Sequence, residues 1–227
     1  MTEQFTRSLG LLGNDAFNKI EEATVCVIGL GGVGGTALEA LARTGFKNFI
    51  IIDMDRVEPS NLNRQILYTT NDIRLDKVDA ATKRLLSINN DVTIQNFKMK
   101  VDENNLSILD EFDITYLVDA IDDINGKTAI AKYCLNRSIP FIASLGMANR
   151  LDPTKVIITK LNKTYNDPLA KKIRYLFKKE GIDISGINVV LSLENPLSYS
   201  KQLNSIMSVP SSAGLAIAYH IIKVFID

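Results

Sequence analysis

Cysteine is scarce in this chain of 227 residues: there are two, Cys26 and Cys134. Two cannot build a disulfide framework or a four-ligand metal set. The lack of a structural disulfide suits a reducing, cytoplasmic compartment. Cys26 lies inside an apolar run and Cys134 in a helical pattern, so both are read as packing residues rather than reactive thiols. Net charge is missing too, because 26 Lys and Arg balance 26 Asp and Glu. No global field therefore draws the chain to nucleic acid or membrane, although a local patch still can. No run of about 18 apolar residues occurs, so no membrane-spanning helix is expected. The first twenty residues carry Glu3, Arg7, Asp15 and Lys19 without an apolar core, which argues against a signal peptide. Repeats, low-complexity tracts and interdomain linkers are likewise absent. What remains is an ordinary globular composition, 46% hydrophobic and 23% charged, at a length suited to one large domain.

One stretch organises the rest. Thr24-Val25-Cys26-Val27-Ile28 is a short Val/Ile run that breaks into Gly29-Leu30-Gly31-Gly32-Val33-Gly34-Gly35. Thr36 to Arg43 then reads as a helix. A buried parallel strand, a glycine turn and a helix in this order form a dinucleotide-type fingerprint, carried by Gly29, Gly31 and Gly34 with Gly32 between them. The first glycine permits a tight turn, the second a close backbone approach to phosphate, and the third close helix–strand packing. Amides at the helix start then face the ligand with a favourable dipole. The plainer alternative is a glycine turn with no ligand.

Residues 1–22 suggest a helical arm, through Phe5, Leu9, Leu12, Phe17 and Ile20. The arm packs on its own subunit or reaches a partner and carries Arg7 there. Gly45 stops the helix after the glycine loop. Phe49–Asp53 is a second strand, and Asp53 at its end stands where a carboxylate holds ribose hydroxyls. The polar segment 55–65 contains Asn61, Arg64 and Gln65, and Arg64 offers a planar fork for phosphate. A helix follows over 76–86, with Lys77 in its first turn. A cation is unfavourable there by dipole, which favours a functional use. Val92–Phe97 is a third strand, followed by a short acidic helix near 102–111. Thr115–Asp123 is a fourth strand running into carboxylates, and Asp122 is placed beyond its end to hold Mg²⁺ between phosphates. A helix over 125–137 and a fifth strand over 140–144 complete a β-α alternation that predicts a parallel sheet.

From Asp152-Pro153 the composition shifts. Strands are expected over 156–159 and 189–193. Asp167-Pro168 opens a helix as N-cap and N1, with Leu169, Ile173, Leu176 and Phe177 on its apolar face and Gly181 as its stop. From Lys155 to Lys179 there are eight basic residues against one acid, Asp167. This is either a solvated face or a contact for phosphates. Pro210 to Ile226 reads as a helix apolar nearly all round, buried in the core or in a dimer interface. The expected fold is a Rossmann-like, doubly wound, mainly parallel α/β sheet with helices on both faces and a C-terminal α/β extension. It is read as a single domain over 1–227, with an arm 1–22, a nucleotide-binding core 23–150 and an acceptor-side extension 151–227.

Gly29–Gly35, Asp53, the Ser60-Asn61-x-x-Arg64-Gln65 segment with Lys77, and Asp122 together resemble the adenylate-forming domain of the E1-like superfamily, which activates carboxylates with ATP. That resemblance implies that Asp53 binds ribose, that Asn61, Arg64, Gln65 and Lys77 contact the phosphates, and that Asp122 positions Mg²⁺. It makes Arg7 similar to the arginine that such enzymes insert into the neighbouring subunit's ATP site, which implies a homodimer. Leu41–Gly45, Ile52–Asp55, Asn63–Gln65, Asp119–Asp122, Asp152–Thr154 and Asp167–Ala170 resemble the tRNA threonylcarbamoyladenosine dehydratase subfamily. Its implied substrate is tRNA carrying threonylcarbamoyladenosine, which is adenylated on the threonyl carboxylate and closed to a cyclic form. The basic stretch would then touch tRNA phosphates, and a sulfur-relay protein is a further implied partner. The segment between Leu193 and Met207 looks shorter than in that subfamily and is expected to cover the acceptor side. The alternative acceptor is the C-terminus of a ubiquitin-like or sulfur-carrier protein. Activators of sulfur carriers usually carry two Cys-x-x-Cys pairs, absent here, and ubiquitin-type activators need a nucleophilic cysteine beyond Cys134, also absent. A nicotinamide dehydrogenase would leave Arg64, Lys77 and Asp122 unused. A non-enzymatic binding module would be favoured by failure to bind ATP.

Overall fold

The computed structural model describes residues 3–165, 167–198 and 203–226. One sheet of seven strands runs through it: β1 (Thr24–Ile28), β2 (Asn48–Ile52), β3 (Thr93–Phe97), β4 (Tyr116–Asp119), β5 (Phe141–Ser144), β6 (Val156–Lys160) and β7 (Asn188–Ser192). Their order across the sheet is β3-β2-β1-β4-β5-β7-β6, parallel except for the β6–β7 pair. This is the doubly wound α/β arrangement expected from the alternation of elements. The antiparallel edge strand is new, because nothing in the composition of 156–192 distinguishes the two directions.

Side chains alternate across the sheet with a period of two. Val25 and Val27 point to one face, where they pack with Phe49, Ile51, Tyr116 and Val118 under helices α2 (Asn14–Glu22), α3 (Gly32–Thr44), α4 (Lys77–Ile88) and α7 (Ser208–Ile226). Cys26 and Ile28 point to the other, with Ile50, Ile52 and Leu117 under α5 (Ile124–Asn136) and α6 (Pro168–Lys179). Strands covered on both sides must be apolar at every position, which is why β1 and β2 read as unbroken Val/Ile runs. Cys26 and Cys134 are free and buried, and burial pushes both thiols up from their ordinary range. They pack; they do not react.

Several boundaries differ from the sequence expectation. The helix after the glycine loop begins at Gly32, four residues before Thr36, so the loop glycines form its first turn. The acidic helix near 102–111 is a single 3-10 segment, Leu106–Glu111, and the final helix starts at Ser208 rather than Pro210. The arm is helical but breaks at Gly13 into α1 (Thr6–Leu12) and α2, and it packs on its own subunit: Phe5, Phe17 and Ile20 are buried. No unbroken apolar run announces it, yet among the described residues α7 is long and apolar enough, by length and composition, to cross a membrane. Here it lies along α3 and over β6 and β7, with Val209, Ala213, Ile217 and Ile221 buried, as a core helix of the sheet.

Candidate nucleotide and acceptor site

The strand ends β1, β2 and β4 and the start of α3 enclose a cavity of about 350 Å³. Its walls include Gly29, Gly31, Gly32, Asp53, Asn61, Arg64, Gln65, Lys77 and Asp122. Nine of the residues singled out in the sequence thus meet at the carboxyl ends of parallel strands, where ligands of such sheets bind. Gly34 lies just behind the wall. Arg7 does not reach it, being exposed on α1.

Two glycines are demanded by geometry. Gly29 has φ +92, and a Cβ there would stand 2.7 Å from the Ala120 carbonyl. A Cβ at Gly34 would fall 1.9 Å from the Gly29 carbonyl oxygen. The turn and the first turn of α3 are therefore pressed together and against β4. The N-cap residue Gly31 has no side chain to cap α3. The leading amides of the helix are left for an anion.

Asp53 is held by two backbone donors. The Leu30 N–H donates to one oxygen at 2.7 Å and the Asp55 N–H to the other at 2.8 Å. Both oxygens keep a further lone pair for hydroxyl groups. Lys77 is buried and donates to Asp55 at 2.8 Å, with Asp53 3.9 Å away. The two carboxylates offset the unfavourable dipole at the helix start, which resolves the misfit seen in the sequence. Asp76, in the N-cap position, makes no cap and instead meets Arg56 at 3.0 Å and Lys98 at 2.8 Å. Arg64 donates to the Ser60 carbonyl at 2.8 Å and to Asn63 at 2.9 Å. Asn61 accepts from the Glu58 N–H at 3.1 Å. Gln65 is buried with one side-chain oxygen that has no hydrogen-bond partner. A polar atom left so on a cavity wall fits a ligand that supplies the missing partner. The apolar part of the wall, Ile28, Ile52, Met54, Met99, Val101 and Ile121, suits the flat face of a base.

Beyond β4 the Asp122 carboxylate is exposed and makes no hydrogen bond or ion pair among the described residues. Its neighbour Asp123 is occupied as the cap of α5, accepting from the Gly126 N–H at 2.7 Å. The loop between β4 and α5 is anchored from below by Asp119 and Lys127, an ion pair of 2.8 Å with both side chains 2% exposed. Burial pushes the Asp119 carboxyl up from its ordinary range, and Lys127 opposes that shift. Asp122 therefore stands as a free carboxylate on a fixed support. Among the described residues no group of three acidic, His or Cys side chains could cage a metal. One or two carboxylates plus phosphates are what Mg²⁺ takes, and Asp122 fits that role.

A second cavity of about 600 Å³ adjoins the first and shares Ala120, Ile121 and Asp122 with it. Val33, Leu145, Met147, Leu169 and Leu203 make it largely apolar. Pro196, Ser198 and Leu203 come from the segment expected to cover the acceptor side; residues 199–202 of that segment lie outside the described residues. Arg150, in the same cavity, is a residue that sequence reasoning misses. Its side chain is buried; Nε donates to the Glu194 carbonyl at 2.9 Å and Nη1 to the Gly146 carbonyl. Nη2 lies 3.5 Å from Asp167 and has no hydrogen bond. Asp167 itself caps α6 through the Ala170 N–H at 2.8 Å, so its sequence role as N-cap holds. Met99 and Arg150 carry no local signal because each belongs to a loop whose path only the tertiary fold defines.

In the basic stretch, two cations are engaged internally. Lys160 donates to the Gly186 carbonyl at 3.0 Å, and Arg174 to the Thr164 carbonyl at 2.9 Å. Lys171, Lys172, Lys178 and Lys179 are exposed.

The chain is similar to known proteins over nearly its whole length. A family model described as the ThiF family matches residues 5–227. The tRNA threonylcarbamoyladenosine dehydratase of Bacillus subtilis (strain 168) is 34% identical over 240 residues, which is 98% of this chain and 94% of that protein. The crystal structure of the E. coli tRNA N6-threonylcarbamoyladenosine dehydratase, TcdA, in complex with ATP superposes with a TM-score of 0.93 at 32% identity, covering 98% of this chain and 93% of that one. The complex of the same protein with AMP gives 0.93, 32% and 98% of this chain, with 94% of that one.

Proposed function

This chain belongs to the ThiF family, and from that membership and the two adjoining cavities we infer that it is an ATP-dependent tRNA threonylcarbamoyladenosine dehydratase. One observation carries the choice of acceptor. The likeness to the B. subtilis dehydratase runs over 98% of this chain and 94% of that protein, so it takes in the extension over 151–227 as well as the nucleotide core over 23–150. The alternative, adenylation of a carrier-protein C-terminus, shares the first cavity and lacks that support.

ATP occupies the first cavity, with its ribose at Asp53, its base against Met54, Met99 and Val101, and its phosphates at the start of α3, Asn61, Arg64, Gln65 and Lys77. Lys77 then exchanges Asp55 for a phosphate oxygen, a charge-assisted contact of the same kind. Asp122 would hold Mg²⁺, which supplies neutralisation of charge on the phosphates. The threonylcarbamoyl group enters the second cavity, so its carboxylate meets the α-phosphate near Asp122. A carboxylate oxygen attacks the α-phosphorus and pyrophosphate leaves. The carbamoyl oxygen then attacks the acyl carbon, the ring closes, a carbamoyl N–H proton is lost and AMP leaves. Both steps are unimolecular once the substrate is seated, so positioning supplies much of the acceleration. Neither step needs a cysteine, in keeping with two buried, unreactive thiols.

The protein acts as a homodimer. Leu215, Tyr219 and Ile226 leave one face of α7 apolar and exposed, and a second copy covers it. Arg7, outside its own cavity, serves the neighbouring one. Incubation with ATP, Mg²⁺ and threonylcarbamoylated tRNA, followed by mass spectrometry of the nucleosides, tests the assignment. The expected product is the cyclic nucleoside with one AMP per ring. Carrier-protein adenylate with no cyclic nucleoside would replace the assignment by the alternative. Co-purification of a sulfur-transfer protein with this chain tests the sulfur-relay partner.

A further inference from the structure

We propose that the outward face of α6 is a docking strip for an RNA loop, on which Tyr175 stacks against an unpaired base while Lys171, Lys172, Lys178 and Lys179 hold the surrounding phosphates. The proposal rests on tRNA as the substrate and adds a base contact away from the modified nucleotide.

Tyr175 is 74% exposed, among the most exposed large hydrophobic side chains of the molecule. On an α-helix the neighbours of a residue are those three and four positions away. For Tyr175 these are Lys171, Lys172, Lys178 and Lys179, and all four are exposed. The ring therefore sits in a frame of four ammonium groups. Among the described residues none of the four forms an ion pair. Glu180 pairs with Lys132 at 2.8 Å, which leaves Asp183, held by Ser185 at 2.9 Å, as the one acid on the groove beside the four lysines among the described residues. Four ammonium groups around one ring make a locally positive patch, which attracts a polyanion. The strip is also rigid from behind. Ala170, Ile173 and Phe177 are buried, Asp167 caps the helix, and Arg174 is turned inward to Thr164.

Position selects RNA over an acidic protein. Pro168, Leu169 and Lys172 line the acceptor cavity, while Lys171, Arg174, Tyr175 and Lys178 line an open groove next to it. One helix thus joins the reacting centre to the exposed ring. From Leu169 to Tyr175 the rise is about 9 Å at 1.5 Å per residue, or about three stacked nucleotides at 3.4 Å each. A ring at that distance meets the π-face of a base, a sequence-tolerant contact. An acidic peptide would use the lysines and gain nothing from the ring.

The test is binding of an unmodified anticodon-type hairpin RNA and of a blunt RNA duplex, followed by anisotropy across a salt series. Tyr175→Ala is expected to weaken hairpin binding about tenfold with an unchanged salt slope, because the ring carries no charge. Tyr175→Phe should bind like wild type, and duplex binding should not respond to either change. Lys171→Ser with Lys178→Ser should lower the slope by about 0.7 for each phosphate that is no longer neutralised. The chain has no Trp, so Tyr175→Trp installs a single reporter, quenched by the hairpin and not by the duplex. Wild-type hairpin affinity in Tyr175→Ala, an equal loss on the duplex, or an unquenched Tyr175→Trp variant would overturn the strip. If those results came with wild-type protein that still forms the cyclic nucleoside, the dehydratase assignment would stand and the strip alone would fall. If wild type bound neither RNA yet formed the cyclic nucleoside, the strip alone would fall; if it formed no cyclic nucleoside, the dehydratase assignment would fall with it.

Discussion

Gly34→Ala isolates the close approach on which the nucleotide cavity depends. The added Cβ would lie 1.9 Å from the Gly29 carbonyl oxygen and 2.9 Å from Ala120 Cβ. The first obstacle is backbone, so the chain itself must move. Such overpacking costs about 3 kcal/mol. Alanine returns about 1 kcal/mol through its better helix propensity. The net loss of about 2 kcal/mol corresponds to a melting temperature about 4–8 °C lower for a chain of this size. The movement also pushes Gly29–Leu30 away from β4, and with it the Leu30 N–H that holds Asp53 at 2.7 Å. ATP affinity should fall at least about tenfold, the equivalent of 1.4 kcal/mol. Gly10→Ala is the control: it is also helical, but nothing lies within 4 Å of its added Cβ. The same chemical change there should raise the melting temperature slightly. Differential scanning calorimetry and ATP titration calorimetry read both quantities. A Gly34→Ala protein with wild-type melting temperature and ATP affinity, or a Gly10→Ala protein that loses as much, would refute the reasoning.

Asp122→Ala should lower the rate of ATP–pyrophosphate exchange at least about a hundredfold while ATP docking partly survives; near wild-type exchange would remove the residue from the mechanism. Mixing Arg7→Ala with Asp122→Ala protein should restore activity, since one site of the mixed dimer keeps both residues; no recovery after proven subunit exchange, or a monomer in light scattering, would exclude action in trans. Burial would raise the Glu39 carboxyl, but hydrogen bonds from Arg84 and Arg43 more than offset this and hold it below its usual range. A depressed carboxyl stabilises the fold above its unfolded-state range, and the benefit is lost as pH falls through the folded-state value. The stability gap between wild type and Glu39→Gln in urea titrations should therefore be full at neutral pH and shrink on acidification; a gap independent of pH would contradict the clamp.

Much of this architecture is legible in the order of residues alone. The strands buried on both faces announce themselves as Val/Ile runs, and the glycine turn, Asp53 and Asp122 mark three strand ends that the parallel order brings together. Lys77 stands out because its charge opposes the helix dipole, a local conflict that Asp55 and Asp53 resolve. Other features have no local signature. The start of α3 at Gly32 is hidden because glycine disfavours helix interiors on its own, and only packing on β4 and α7 fixes it there. The reversed direction of β6 depends on pairing with β7 across about thirty residues, which periodicity does not encode. Arg150 serves the second cavity by tying three separate loops, a placement visible only in three dimensions.

The packing of α7 on α3 has a consequence in time. Helix α3 opens with uncapped amides beside the first cavity, yet its outer side is covered by residues 208–226, which begin about 164 positions after its own end. At 5–20 residues per second, a ribosome needs about 10–30 s to make that cover. Throughout this interval the nucleotide-binding helix is present without its lid, and Thr36 lacks the Ser211 hydroxyl that later stands 3.3 Å away. The emerging chain exposes the apolar side of α3 that α7 later buries, although every residue lining the first cavity has by then been made. A chain ending before Ser208 would thus keep the lining of the first cavity while α3 lacks the helix that packs it down, so its firm seating waits for translation to pass α7.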